Sequence, residues 1–236
     1  MNKDINKEII MYKFLILILF FIIPAHANQI DQLKHQAELG DTNAQTMLGS
    51  RYFIGDGVEK DYRLALKWHK SAAEKGDVDS QNIVGVIYQL GLGVKEDHSQ
   101  AFFWFKQAAE QGDAPSQAEI AEMLLNGDGV AKNEQQALMW FQKSANQNHP
   151  KGLFGLADLY LSGKVVEQDE QKGFQLMKRA AEKKEPFAQY AVGFLYEKGI
   201  GTRQNRTVAK EWYGRSCDRG LKGGCQAYRK LNEQGF

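Results

Sequence analysis

The chain has 236 residues, a quarter of them charged, with 30 Lys and Arg against 29 Asp and Glu. That balance argues against a nucleic-acid groove or a basic membrane face, both of which need a surplus of Lys and Arg. The two cysteines are too few for a structural zinc site on their own.

The N-terminal stretch reads as a secretory signal peptide over residues 1–27. Lys3, Lys7 and Lys13 precede an apolar run from Phe14 to Ile23, Pro24 breaks it, and Ala25-His26-Ala27 supplies the small residues of a cleavage site. The run is too short for a membrane anchor, which needs roughly 20 residues to cross about 30 Å of hydrocarbon. Met11 is an alternative start. Cleavage near Ala27 would place the protein in the periplasm or outside the cell, with 27 basic and 27 acidic residues remaining. No cysteine follows that site, so a lipid anchor is not supported.

Beyond residue 40 the chain follows a grid of 36 residues. Trp68, Trp104, Trp140 and Trp212 lie on it, with Leu176 in the remaining slot. The same step links Gly49, Gly85, Ala121, Ala157 and Gly193, and also Gly55, Gly91, Gly127, Gly163 and Gly199. A fixed period of this length marks stacked supersecondary units. In residues 41–76, Ala44, Leu48 and Tyr52 form the stripe of a first amphipathic helix. The small residue at Gly49 lets a neighbour approach, and Gly55 and Gly57 end the helix. Asp61 is then the N-cap of a second helix, as are Asp97, Asn133, Asp169 and Asn205. Ala65, Trp68, Ala72 and Ala73 make its buried stripe, which places the tryptophans in the core. The expectation is an all-α, right-handed α-solenoid of helix–turn–helix units with a concave inner wall.

These residues carry a family resemblance. The series A-x-x-x-L-G-x-x-Y-x-x-G-x-G-V, D-x-x-x-A-x-x-W and A-A-x-x-G resembles the Sel1-like repeat, a tetratricopeptide-like helix pair. The resemblance covers five units, at 41–76, 77–112, 113–148, 149–184 and 185–220. A half-unit helix over 28–40 precedes them and a capping helix over 221–236 follows. Unit four departs, with Val165 for a turn glycine, Leu176 for Trp, Gly173 for a helix alanine and Lys184 for the closing glycine. It is therefore expected to be the least stable unit, and a place where the array bends.

Cys217 and Cys225 face each other across the last inter-unit turn. An even cysteine count in an exported chain favours a disulfide between them. Cysteines eight apart at such a turn are also similar to a cysteine-rich subgroup of the family, which is associated with penicillin binding and hydrolysis. That resemblance implies a weak β-lactam-hydrolysing enzyme as the alternative function. The residues oppose it: no Ser has Lys three positions on, no K-T-G or G-x-S-x-G occurs, and the histidines have no zinc spacing. Glu122 and Asp158 share a slot in adjacent units and could pair as acid and base, but a partner contact is the ordinary role of such carboxylates. No catalytic residue, metal or cofactor is expected.

The resemblance implies instead a protein-binding adaptor, serving envelope complex assembly, toxin neutralisation or host contact. A peptide-binding, chaperone-like role is a further alternative. The groove would be lined by the slots of Asn43, Thr46, Ser50 and Phe53. Phe154 and Tyr190 share one of these slots, and Phe187, Tyr190 and Phe194 follow one another on a helix face. Leu125 and Leu161 occupy the Phe53 slot. With Glu122 and Asp158 they make the expected partner-binding set, Phe187 and Tyr190 alternatively packing on the C-terminal half-unit.

Overall fold

A computed structural model describes residues 29–236. The proposed signal peptide lies outside the described residues. Among these, every regular element is an α-helix. The first, α1, covers 29–38. It is followed by α2 (Thr42–Ile54), α3 (Tyr62–Ala73), α4 (Val78–Leu90), α5 (His98–Glu110), α6 (Ala114–Asn126) and α7 (Glu134–Asn146). Then come α8 (Pro150–Ser162), α9 (Glu170–Glu182), α10 (Pro186–Lys198), α11 (Arg206–Asp218) and α12 (Lys222–Glu233). The fold is an all-α solenoid of helical repeats.

The ends of these helices follow from the residues expected to set them. Asp61, Asp97, Asn133, Asp169 and Asn205 each accept a backbone N–H of the second helix they open. Such a cap is worth about 0.5–2 kcal/mol. Gly55, Gly91, Gly127, Gly163 and Gly199 end the first helices in the left-handed conformation, where a side chain is strained. The hairpin is closed by a backbone bond from the second cap to the first helix, as in Asp61 N to Tyr52 O at 3.0 Å and Asn205 N to Tyr196 O at 2.9 Å.

Two compact units divide the chain, and each has its own core. In the described part of the first, 29–96, Leu33, Ala37, Ala44, Leu48 and Trp68 pack together, with Tyr52 against them. A Cβ added at Gly49 would sit 2.7 Å from the His69 ring, so the small residue is required by close packing. In the second, 97–236, the core joins Phe141, Leu153, Leu156, Phe174, Leu176 and Trp212. At Gly193 a Cβ would meet the Tyr213 ring at the same 2.7 Å. Trp68, Trp104 and Trp212 are buried as expected, whereas Trp140 is half-buried with the Lys143 ammonium over its ring at 4.0 Å.

Neighbouring helix pairs are also clamped by a polar bond. The buried amides of Gln45, Gln81, Gln117 and Gln189 donate to the carbonyls of Ala37, Ala73, Ala109 and Ala181. At the last junction these two slots hold Cys225 and Cys217, which are joined as a disulfide. A covalent bond thus stands where four of the other five junctions use a glutamine, the fifth having the buried Leu153 in that slot.

Unit four shows what its departures do. Val165 does not take the left-handed φ found at Gly57, Gly93, Gly129 and Gly201, and with Val166 it packs against the core. Lys184 does adopt φ 70°, as Asn148 adopts φ 57° in unit three, in the slot where the remaining units end on glycine. Gly173 is not a simple defect, because a Cβ there would lie 2.6 Å from Leu161 Cγ.

Candidate functional site

The first helices open on one slot, held by Asp41, Asp77, Asp113, His149, Glu185 and Leu221. The three aspartates cap α2, α4 and α6 through their side chains. His149 and Glu185 make no such bond at α8 and α10, where Pro150 and Pro186 occupy the first turn. Proline suits that position because it has no N–H to leave unpaired.

These two helix starts line one cleft of about 470 Å³, together with Lys151, Phe154, Phe187 and Ala188. Phe187 is 65 % exposed, among the most exposed large apolar side chains described. Phe154 is half-buried. Exposed aromatic surface of this kind is costly to keep in water and is a common mark of an interaction site.

The polar lining of the cleft is His149, Lys151 and Glu185, and Lys151 ties two further carboxylates to it. Lys151 Nζ lies 2.7 Å from Glu119 and 2.5 Å from Glu122. Burial disfavours its ammonium, but the hydrogen bonds and charges of the two carboxylates outweigh that and hold its pKa above the usual lysine value. Burial lowers the pKa of His149, against the opposing pull of Asp113, Glu119 and Glu185. The imidazole is therefore neutral at pH 7, and its Nδ1 has no protein partner.

The other expected residues are placed as follows. Tyr190 turns to the C-terminal helices, with its ring 5.3 Å from that of Tyr213 and packed near Gly223. Phe194 is 41 % exposed and borders a second cleft of about 320 Å³ with Tyr190, Glu197 and Lys230. Asp158 is exposed, and Glu122 is engaged by Lys151 rather than paired with it. Leu125 and Leu161 lie apart from this surface: both are partly buried and pack against the core. His149, Lys151, Glu185 and Glu119 were not singled out from sequence. The signal for the first and third was the loss of aspartate from the cap slot.

A Ser–His contact elsewhere bears on catalysis. His69 Nδ1 lies 3.1 Å from Ser80 Oγ, but both residues are fully buried, so no substrate reaches them. Among the described residues no group of three or more His, Cys, Asp or Glu is placed to hold a metal. None of the described helices is long and apolar enough to cross a membrane.

The Sel1 repeat family is matched at residues 42–77, 78–113, 114–149, 150–184 and 186–221. Among solved structures, a Sel1 repeat protein from Oxalobacter formigenes is 28 % identical, with a TM-score of 0.77 over 83 % of this chain and 78 % of that one. A protective antigen of uropathogenic Escherichia coli strains, displaying an SLR fold, is also 28 % identical, with a TM-score of 0.65 over 87 % of this chain and 56 % of the antigen. A putative sel1 repeat protein from Klebsiella pneumoniae is similar in fold, at 24 % identity and a TM-score of 0.54, over 86 % of this chain and 99 % of that one. No curated protein matches.

Proposed function

Since this chain belongs to the Sel1 repeat family, we propose that it is a non-catalytic adaptor that binds another protein in the cell envelope or outside the cell. The repeat fold points to a protein-interaction scaffold. The observation that carries the reading is the cleft around Phe154 and Phe187, an aromatic surface left open where α8 and α10 begin. A packed stack could have covered these rings, as Trp68, Trp104 and Trp212 are covered. Two features support export: the leader pattern over residues 1–27, and a disulfide, which persists in oxidising compartments.

The test is capture of a partner from an envelope extract by the disulfide-intact protein. A dedicated adaptor retains one stoichiometric protein. Phe187→Ala combined with Phe154→Ala should weaken that capture at least tenfold, since central aromatic anchors commonly carry about 2 kcal/mol or more each. Undiminished capture by a double variant with the wild-type circular dichroism spectrum would remove the cleft from the proposal.

A further inference from the structure

The charges around this cleft select among partners. Asp113, Glu119, Glu122 and Glu185 bring four carboxylates to the surroundings of His149 and Lys151, and Lys151 supplies one ammonium. The formal sum is three negative charges. The opening turns of α6, which Asp113 caps, and of α8 and α10 oppose it, each acting as about half a positive charge. Three such ends still leave a net negative charge, of roughly one and a half. His149 adds none while neutral. The floor, meanwhile, is apolar: Pro150, Phe154, Phe187 and Ala188.

We propose that this cleft takes a basic–apolar segment of the partner protein, seating a bulky apolar side chain on Phe154 and Phe187 and a neighbouring Lys or Arg against Glu185 and the Glu119–Glu122 pair. The inference rests on the adaptor reading and adds the chemistry of the bound segment. An acidic segment would bring like charge to four carboxylates, and a phosphate-bearing surface would meet the same repulsion. Arg or Lys entering beside Glu185 gains an opposite charge at a rim that stays solvated. That sets association rate and selectivity more than affinity, which comes from the buried apolar group.

The probe is a phage library of random 12-residue peptides, selected on the purified, disulfide-intact protein. Enriched peptides should carry Lys or Arg within three positions of Phe, Leu, Ile or Trp, and synthetic copies should bind less tightly as salt is raised. Phe187→Ala should weaken them at least tenfold. Glu185→Lys, at an exposed position whose side chain caps nothing, should also weaken them about tenfold, with the fold unchanged by circular dichroism. Enriched peptides that are neutral or acidic, yet still depend on Phe187, would overturn the charge assignment and leave the adaptor reading standing. Selection that yields no Phe187-dependent peptide would overturn the cleft as a peptide site, whatever the extract experiment shows.

Discussion

At the scale of single residues, the repeat is a set of slots in which one odd occupant can change the chemistry. His69 takes the place held by Phe105, Phe141, Met177 and Tyr213 in the other units. It fills space over Gly49 as Tyr213 does over Gly193, but it brings two ring nitrogens into the core. Nδ1 meets Ser80, which also contacts Thr46 at 3.0 Å, while Nε2 has no partner. Burial lowers the pKa from 6.5 to about 4, with Asp77 pulling weakly the other way. Between those values the unfolded chain takes up the proton more readily than the folded one. Stability is therefore complete above about pH 6.5 and falls as pH drops toward 4, by roughly 3 kcal/mol in all. His69→Phe, a side chain the fold already accepts in this slot, should remove that dependence. Urea midpoints of both proteins at several pH values between 7.5 and 4 would show it. A difference between them that stays constant with pH would mean that His69 is not held neutral.

At the scale of helices, α8 and α9 are fitted by an exchange of bulk between neighbours. Ala65, Ala101, Ala137 and Ala209 hold the slot of Gly173, and a glycine inside a helix costs up to about 1 kcal/mol against alanine. Here the missing methyl makes room for Leu161. Gly173→Ala should consequently destabilise the protein by about 1–3 kcal/mol, because overpacking outweighs the gain in propensity. In a Leu161→Ala background the same change should stabilise it by about 0.5–1 kcal/mol. Equilibrium denaturation of the four proteins of this cycle measures the reversal; stabilisation by Gly173→Ala in both backgrounds would mean that Leu161 yields without cost. This pair also marks the limit of what the sequence discloses. Caps, turn glycines and buried tryptophans were legible because each repeats at 36 residues and has a local cause. Gly173 read only as a weakness, since periodicity does not reveal which side chain fills a gap. At the site, Phe154 and Phe187 were legible as aromatics in groove slots. The Lys151–Glu119–Glu122 cluster was not, because its members come from adjacent helix pairs and only packing brings them together.

At the scale of the whole molecule, a stack of helix pairs leaves an apolar face wherever it stops, and stability depends on how that face is closed. On the C-terminal side α12 does this. It buries Leu231 against Ala209 and Tyr213, whose hydroxyl donates to Glu197 at 2.8 Å, and keeps Lys222, Gln226, Arg229, Lys230 and Glu233 exposed. The disulfide adds a tether of a different kind. It restricts the unfolded chain, and closing a loop of about nine residues is worth roughly 2.5 kcal/mol. Cover and tether should separate experimentally. A Cys217→Ser, Cys225→Ser variant keeps α12 on its face, so it should remain a monomer and lose about 2–3 kcal/mol in denaturant unfolding. A chain stopped after Gly220 loses the cover itself and uncovers Tyr190, Ala209 and Tyr213. It should self-associate at micromolar concentration and melt well below the disulfide-free variant. Light scattering coupled to size exclusion, with thermal melts of both proteins, distinguishes them. If the truncated chain were monomeric and as stable as the serine variant, α12 would be held in place by the disulfide without contributing cover, and the closing role assigned to its apolar side would be wrong.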